Sequence, residues 1–356
     1  MKAKIYLHIG LHKTGTSSIQ TTFYKSYDGL LARGINYPRL RIENPNHSVT
    51  LVPLFHRDPL RYQELRRGGV NTREKVEKRN AQVRAALRQA LNSNTAEKIV
   101  FSGEGLAHLR VGELEKLRSE LAPYAGDFRV IVYVRDPYST ANSMVQQRVR
   151  RGQTYQQIER KPPFPRYSRI GASLEVFGRD NVDIRIFDKA QFVGNDLMTD
   201  FLSAVGADPQ IAKELDVART NEALSHEAAF LLHEINKRFP TGERDSANIA
   251  DNPALLQWLT GIPGQPYRCP PELLQIVQPR IAREVAWLHG VLGRQIFPET
   301  PPVLPPPKPY WQDETLAAIA LKFNDLARRQ SWREWAEQRV ESMSSDLRRL
   351  TRRWRY

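Results

Sequence analysis

Ile5-Tyr6-Leu7-His8-Ile9-Gly10-Leu11-His12-Lys13-Thr14-Gly15-Thr16-Ser17-Ser18-Ile19 decides how this chain is read. An apolar, strand-like run enters a loop with two glycines, one lysine and four hydroxyl side chains. A helical pattern follows, with Ile19 and Phe23 four residues apart. Strand, glycine loop and helix together point backbone N–H groups and a helix N-terminus at a phosphate. A Walker-type ATPase loop needs its lysine directly after the second glycine, with Ser or Thr next to hold magnesium. Here Thr16 follows Gly15, and Lys13 stands two places before that glycine. The stretch reads as a phosphate loop outside the ATPase pattern. The plainer alternative is a strand–turn–helix whose lysine is solvated.

Two later runs end in matching chemistry. Phe128 to Val134 is rich in β-branched residues and leads into Arg135-Asp136-Pro137, where the proline suits the first turn of a helix. Ser143 falls eight positions after Arg135, about two helical turns on. A guanidinium grips a phosphate through two parallel bonds and a hydroxyl adds a directional donor; the alternative is that Arg135 pairs with Asp136. Ile99-Val100-Phe101-Ser102-Gly103-Glu104 reads as a buried strand ending in a carboxylate. In open α/β sheets reactive groups gather beyond the carboxyl ends of the strands. Glu104 is therefore expected to face the same crevice as Lys13 and Arg135, either as a general base or as a cap on the next helix.

Lys13-Thr14-Gly15-Thr16-Ser17 resembles the 5′-phosphosulfate loop of sulfotransferases that use 3′-phosphoadenosine 5′-phosphosulfate (PAPS), which carry Lys-(Ser/Thr)-Gly-Thr-(Ser/Thr) there. Arg135 and Ser143 match the pair that holds the 3′-phosphate in that family. Val182 to Phe187, followed by Asp200-Phe201-Leu202 and Gly206, is similar to the adenine side of the family's site, with Phe187 where Tyr is common. Arg219 to Ser225 departs from the Arg-Lys-Gly loop of the cytosolic steroid and phenol branch. The resemblance covers roughly residues 1–225. It implies a three-layer α/β fold with a mostly parallel sheet flanked by helices, like that of P-loop NTPases, and a C-terminal helical extension. It implies PAPS as sulfuryl donor and no metal. The implied donor-binding residues are Gly10, His12, Lys13, Thr14, Gly15, Thr16, Ser17, Ser18, Arg135, Ser143 and Phe187. The implied catalytic residues are Lys13 and Glu104, with His47 in Asn46-His47-Ser48 as a second candidate base. The acceptor class suggested is a carbohydrate or glycolipid hydroxyl, given the missing phenol-branch loop, the carboxylate base and the basic surface. Two rival readings remain open: a small-molecule kinase with an atypical loop, and a non-catalytic nucleotide- or polyanion-binding protein.

Composition bounds these readings. The 356 residues are 40% hydrophobic, enough for a substantial core, and no run approaches the roughly 18 apolar residues of a membrane span. Met1-Lys2-Ala3-Lys4 runs directly into the first strand, and Cys269 is the single cysteine. Both features suggest a cytoplasmic enzyme, peripheral to the inner membrane face in one reading, and because Golgi members of the family it resembles carry a membrane anchor, the resemblance implies a bacterial one. No Cys/His cluster has zinc spacing. A net charge of +14 suits anionic glycans, lipids or nucleic acid. No zinc-finger or RNP-type motif accompanies that charge, so nucleic acid is not expected as a partner.

The organisation expected is a sulfotransferase domain over 1–297, a proline linker over 298–309 and a basic helical extension over 310–356. Within the domain, a donor-binding core takes 1–225 and a helical acceptor-side segment takes 226–297. The linker holds seven prolines, and five arginines fall in the last nine residues. Ala336, Val340, Met343, Leu347, Leu350 and Trp354 form a short seam of coiled-coil period. That seam docks on its own domain, pairs with a second subunit in a homo-oligomer, or lies on an anionic membrane surface.

Overall fold

The apolar runs pair as parallel strands. In the computed structural model, which describes residues 2–40, 44–217, 223–238, 253–301, 315 and 318–319, five strands make one sheet. They are β1 (Ala3–His8), β2 (Ile35–Asn36), β3 (Lys98–Ser102), β4 (Ala125–Val134) and β5 (Val182–Ile186), ordered β2-β3-β1-β4-β5. Each pairing is parallel, with Leu7 between Phe101 on one side and Val130 on the other. Parallel neighbours require crossovers. The chain supplies them as α1 (Thr16–Lys25), α2 (Ser48–Phe55), α3 (Arg73–Asn92), α4 (Val111–Leu121), α5 (Pro137–Arg150) and α6 (Ile170–Phe177). After β5 come α7 (Leu197–Ala204), α8 (His226–Arg238), α9 (Pro253–Thr260) and α10 (Pro271–Leu292).

Strand periodicity splits the core into two layers of packing. Ile5, Leu7, Ile99, Phe101, Val130 and Val132 face one side, against Leu87 of α3, Leu114 and Leu117 of α4, Ile170 of α6 and Val285 of α10. Tyr6, Val100, Ile131 and Tyr133 face the other, against Ile19 and Phe23 of α1 and Phe201 and Leu202 of α7. Burial on both faces is why these strands read as continuous apolar runs rather than alternating ones. The result is the three-layer α/β architecture expected. From β1 the chain moves towards β2 and β3, then crosses back over β1 to β4. That reversal puts a crevice at the carboxyl ends of β3, β1 and β4.

The chain forms two compact units. The first holds Met1–Val145, Pro162–Asn221 and Pro271–Pro302, and contains the sheet; α10 belongs to it. The second holds Gln146–Lys161, Glu222–Pro270 and Val303–Tyr356. Inside the second, the Asn236 amide of α8 donates to Val149 O (2.8 Å) and Gln153 O (3.1 Å), while His233 stacks on Tyr155 with ring centroids 4.2 Å apart. Arg219 to Glu222 of the loop that departs from the phenol branch lie outside the described residues. So do the turn at 241–245, most of the proline linker and nearly all of the C-terminal extension with its seam.

Candidate active site

The candidate residues all lie in the sheet unit. The loop after β1 is stitched to β4: Leu11 N–H donates to Tyr133 O (3.0 Å), and Tyr133 N–H donates to Gly10 O (2.6 Å). Lys13 has φ 67°, in the left-handed region that costs a side-chain-bearing residue about 1 kcal/mol. The surrounding bonds hold it there. Gly15, at φ 71°, starts α1 with no side-chain cap. A β-carbon on Gly15 would come 2.3 Å from Leu197 and 3.2 Å from Phe187, so the loop needs glycine there. Ile19 N–H makes a bond to Gly15 O (3.1 Å), which leaves the N–H groups of Thr16 and Ser17 ahead of the ladder at a helix N-terminus. With Lys13 beside them, these groups suit an anion.

Thr14 corrects part of the expected cradle. Its hydroxyl is buried and donates to Leu11 O (2.6 Å), so it closes the loop instead of reaching a ligand. Only its backbone N–H remains a candidate donor. Thr16 is also largely buried, Ser18 is half-buried and Ser17 is exposed.

Glu104 follows β3 at the start of a short 3₁₀ turn, Glu104–His108, and abuts the loop after β1. A β-carbon on Gly10 would sit 2.9 Å from Glu104 Cβ and 3.2 Å from its Cα, so a glycine is required for this approach. The carboxylate accepts from Gln20 of α1 (3.1 Å) and from the Asn46 amide (3.1 and 3.3 Å). These donors come from two other segments and are not helix-terminal N–H groups. They position the carboxylate; Glu104 does not cap a helix through these bonds.

Arg135 comes off the end of β4 and donates to Lys13 O (3.3 Å), with its guanidinium 5.8 Å from the Phe187 ring centre. Among the described residues it forms no ion pair with Asp136, whose carboxylate instead accepts Ser139 N–H (2.7 Å) at the start of α5. Burial lowers the Arg135 pKa, while Asp136 opposes that shift. Ser143 sits half-buried on α5, two turns along. Phe187 lies in an aromatic group with Phe192 and Tyr133, at centroid distances of 5.3 and 6.4 Å, and presents its edge to Gly15.

His47 is not placed to act as a base. It is 3% exposed, its Nδ1 accepts Ser102 N–H (3.0 Å), and its Nε2 is 2.8 Å from Pro38 O. With one nitrogen accepting, the other must carry the proton and donate. Both are committed to backbone, and burial pulls the pKa down to about 4 against those two bonds. His47 anchors the segment before α2 to the end of β3.

Sequence reasoning passed over four residues that complete this region. Gln20 and Asn46 hold Glu104. His108, four places after Glu104, has Nε2 3.3 Å from His12 Nε2 and accepts a bond from Arg169. The usable signals were weak: an amide one turn into α1, and an asparagine beside the histidine that drew attention. Among the described residues, no group of three or more His, Cys, Asp or Glu is arranged to hold a metal ion. No helix there is long and apolar enough to cross a membrane.

No protein-family model matches the chain, and no curated protein matches it. Among solved structures, the chain is similar to a crystal structure of a sulfotransferase from Alicyclobacillus acidocaldarius, at 13% identity and a TM-score of 0.42, over 82% of this chain and 96% of that one.

Proposed function

We propose that the protein is a PAPS-dependent sulfotransferase acting on a carbohydrate or glycolipid hydroxyl. The reading is supported above all by convergence on one loop. Glu104 from the end of β3 abuts Gly10, and Arg135 from the end of β4 bonds Lys13. A helix N-terminus, a lysine and a half-buried arginine that makes no carboxylate ion pair among the described residues suit a ligand with separate phosphate groups. A proton acceptor on the same loop suits transfer to a hydroxyl. The lysine's place in the sequence argues against the magnesium-dependent kinase alternative.

When bound, the donor supplies an activated sulfuryl group whose bridging oxygen departs with the 5′-phosphate. Lys13 and the N–H groups of Thr16 and Ser17 hold that phosphate and stabilise charge developing on the leaving oxygen. Arg135 and Ser143 hold the 3′-phosphate. Glu104 takes the acceptor's proton as its oxygen bonds to sulfur, because a sugar hydroxyl is too weak an acid to ionise beforehand. Rate comes from positioning and electrostatics, with no covalent enzyme intermediate.

Titration with 3′-phosphoadenosine 5′-phosphate (PAP) tests the donor site. Binding is expected, with Lys13→Ala weakening it. Arg135→Ala should lose about 1.5–3 kcal/mol with PAP, the range for a charge-assisted bond, and far less with adenosine 5′-phosphate. Absence of PAP binding, or equal losses with both nucleotides, overturns the assignment of these residues. Magnesium-dependent ATP consumption would favour the kinase.

A further inference from the structure

A cavity of about 480 Å³ in the sheet unit is lined by His56, His108, Arg110, Ser168 and Arg169. Its charge is one-sided. Arg166 stacks on Phe164 and its positive charge also reaches His108 and Arg169. The carboxylates at hand are spent on neutral donors. Glu113 accepts the N–H groups of Arg57 and Arg110 (2.8 Å each), and Glu284 accepts Ser168 N–H (2.8 Å) and its hydroxyl (3.0 Å). Among the described residues, no ion pair joins Arg110, Arg166 or Arg169 to a carboxylate.

The histidines are set as donors. His108 Nε2 accepts from the Arg169 guanidinium, which can only donate, so the proton of neutral His108 is on Nδ1. His108 keeps solvent contact, but partial desolvation of its ring, and then the charges of Arg169, His12, Arg166 and His56, hold its pKa below the ordinary value. His56 Nδ1 accepts Asp58 N–H (3.0 Å), which puts the neutral ring's proton on Nε2. Half-buried Arg169 has a lowered pKa, first from burial and then from Arg166, with Glu284 opposing. An anion in the cavity would relieve both effects.

We propose that this cavity binds one acid group of the acceptor, the carboxylate of a uronic acid or a phosphate monoester on a sugar. The cavity adjoins the transfer site through His108, which ends the 3₁₀ turn that Glu104 begins and touches His12 of the phosphate loop. Four residues of 3₁₀ helix advance about 8 Å, so an acid group held at His108 leaves a hydroxyl of the same or the adjoining sugar at Glu104. The inference rests on the sulfotransferase reading and names the acceptor class of that site.

Saturation-transfer NMR with glucuronate, glucose 6-phosphate and glucose tests it on the wild type and on Arg110→Gln, Arg169→Gln and Lys13→Ala. At least one acid sugar should bind and glucose should not, and whichever acid sugar binds identifies the acid group. Either arginine change should weaken that binding by at least ~10-fold, and Lys13→Ala should retain it. Arg110 is exposed, so its variant gives an answer even if Arg169→Gln fails to fold. Loss in Lys13→Ala with retention in both arginine variants would put the anion in the phosphate loop and overturn the proposal. PAP titration separates the two readings. If PAP binds and neither acid sugar does, the cavity proposal fails and the donor site stands. If an acid sugar binds and PAP does not, the sulfotransferase reading fails, and the acceptor role fails with it.

Discussion

A carboxylate works as a general base only if it is held in place, and two amides hold Glu104, the proposed base, beside the loop after β1. Gln20 and Asn46 donate to it without adding charge, so they fix its rotamer while leaving it able to accept a proton. Glu104→Gln keeps the shape and removes the acceptor. Turnover on a verified acceptor should fall ~10²–10⁴-fold, with PAP affinity nearly unchanged. A near-normal rate would move the base role elsewhere, and buried His47 is not the place. If Glu104 is the base, Asn46 positions it, and the test of that needs a readout that packing alone would not move. Asn46→Asp sets a like charge against Glu104, which disfavours the ionised carboxylate. The acid limb of the pH–rate profile should therefore shift to higher pH, whereas Asn46→Ala should only lower the plateau. Identical profiles for the two variants would remove Asn46 from the catalytic arrangement.

At the level of elements, β5 and α7 are joined through one buried carboxylate. Asp200 of α7 is 1% exposed and accepts from Arg185 Nε (2.8 Å) and Nη2 (2.7 Å), the Tyr133 hydroxyl (2.6 Å) and Val193 N–H (3.0 Å). Burial works to raise its pKa, but these bonds outweigh it and hold the carboxyl below its ordinary value. Asp200→Asn should cost about 3 kcal/mol by urea denaturation, the lower edge for breaking a buried pair, because Arg185 keeps Asp183 and some solvent contact. Phe187 directly follows β5, so PAP affinity should fall as well; unchanged stability would show that the network is slack. The contrast between this junction and the strands shows what was legible in the chain. Fully buried strands with β-branched residues announce themselves, as does a glycine loop, and the order Lys13, Glu104, Arg135 follows from strand ends. A two-residue strand such as β2 has no periodicity to read. The donors to Glu104 and the His12–His108–Arg169 chain come together through packing of segments up to 157 positions apart, which no local pattern encodes.

Across the whole molecule, buried histidines bind folding to pH, and His8 and His47 are the two packed at the ends of the central strands. His8 is fully buried at the end of β1, with Nδ1 2.8 Å from the Ser102 hydroxyl, and burial lowers its pKa to about 3. His47, on the far side of the same serine's backbone, is lowered to about 4. Both folded values lie below the ordinary value of 6.5, so the unfolded chain binds more protons between about pH 4 and 6.5. The stability that comes from keeping them neutral is fully present above pH 6.5 and is lost as pH falls towards the folded values. Each contributes a slope of up to about 1.4 kcal/mol per pH unit. The net charge of +14 adds a separate acid destabilisation through self-repulsion, so absolute stability cannot isolate the histidines. The slope can. His47→Asn keeps an acceptor for Ser102 N–H and removes the titrating ring, so its urea midpoint should change less between pH 7 and pH 5 than that of the wild type. His8→Asn should flatten the dependence in the same way. A variant as steep as the wild type over that interval would mean its histidine is already protonated in the folded state, against the backbone bonds and burial that hold it neutral.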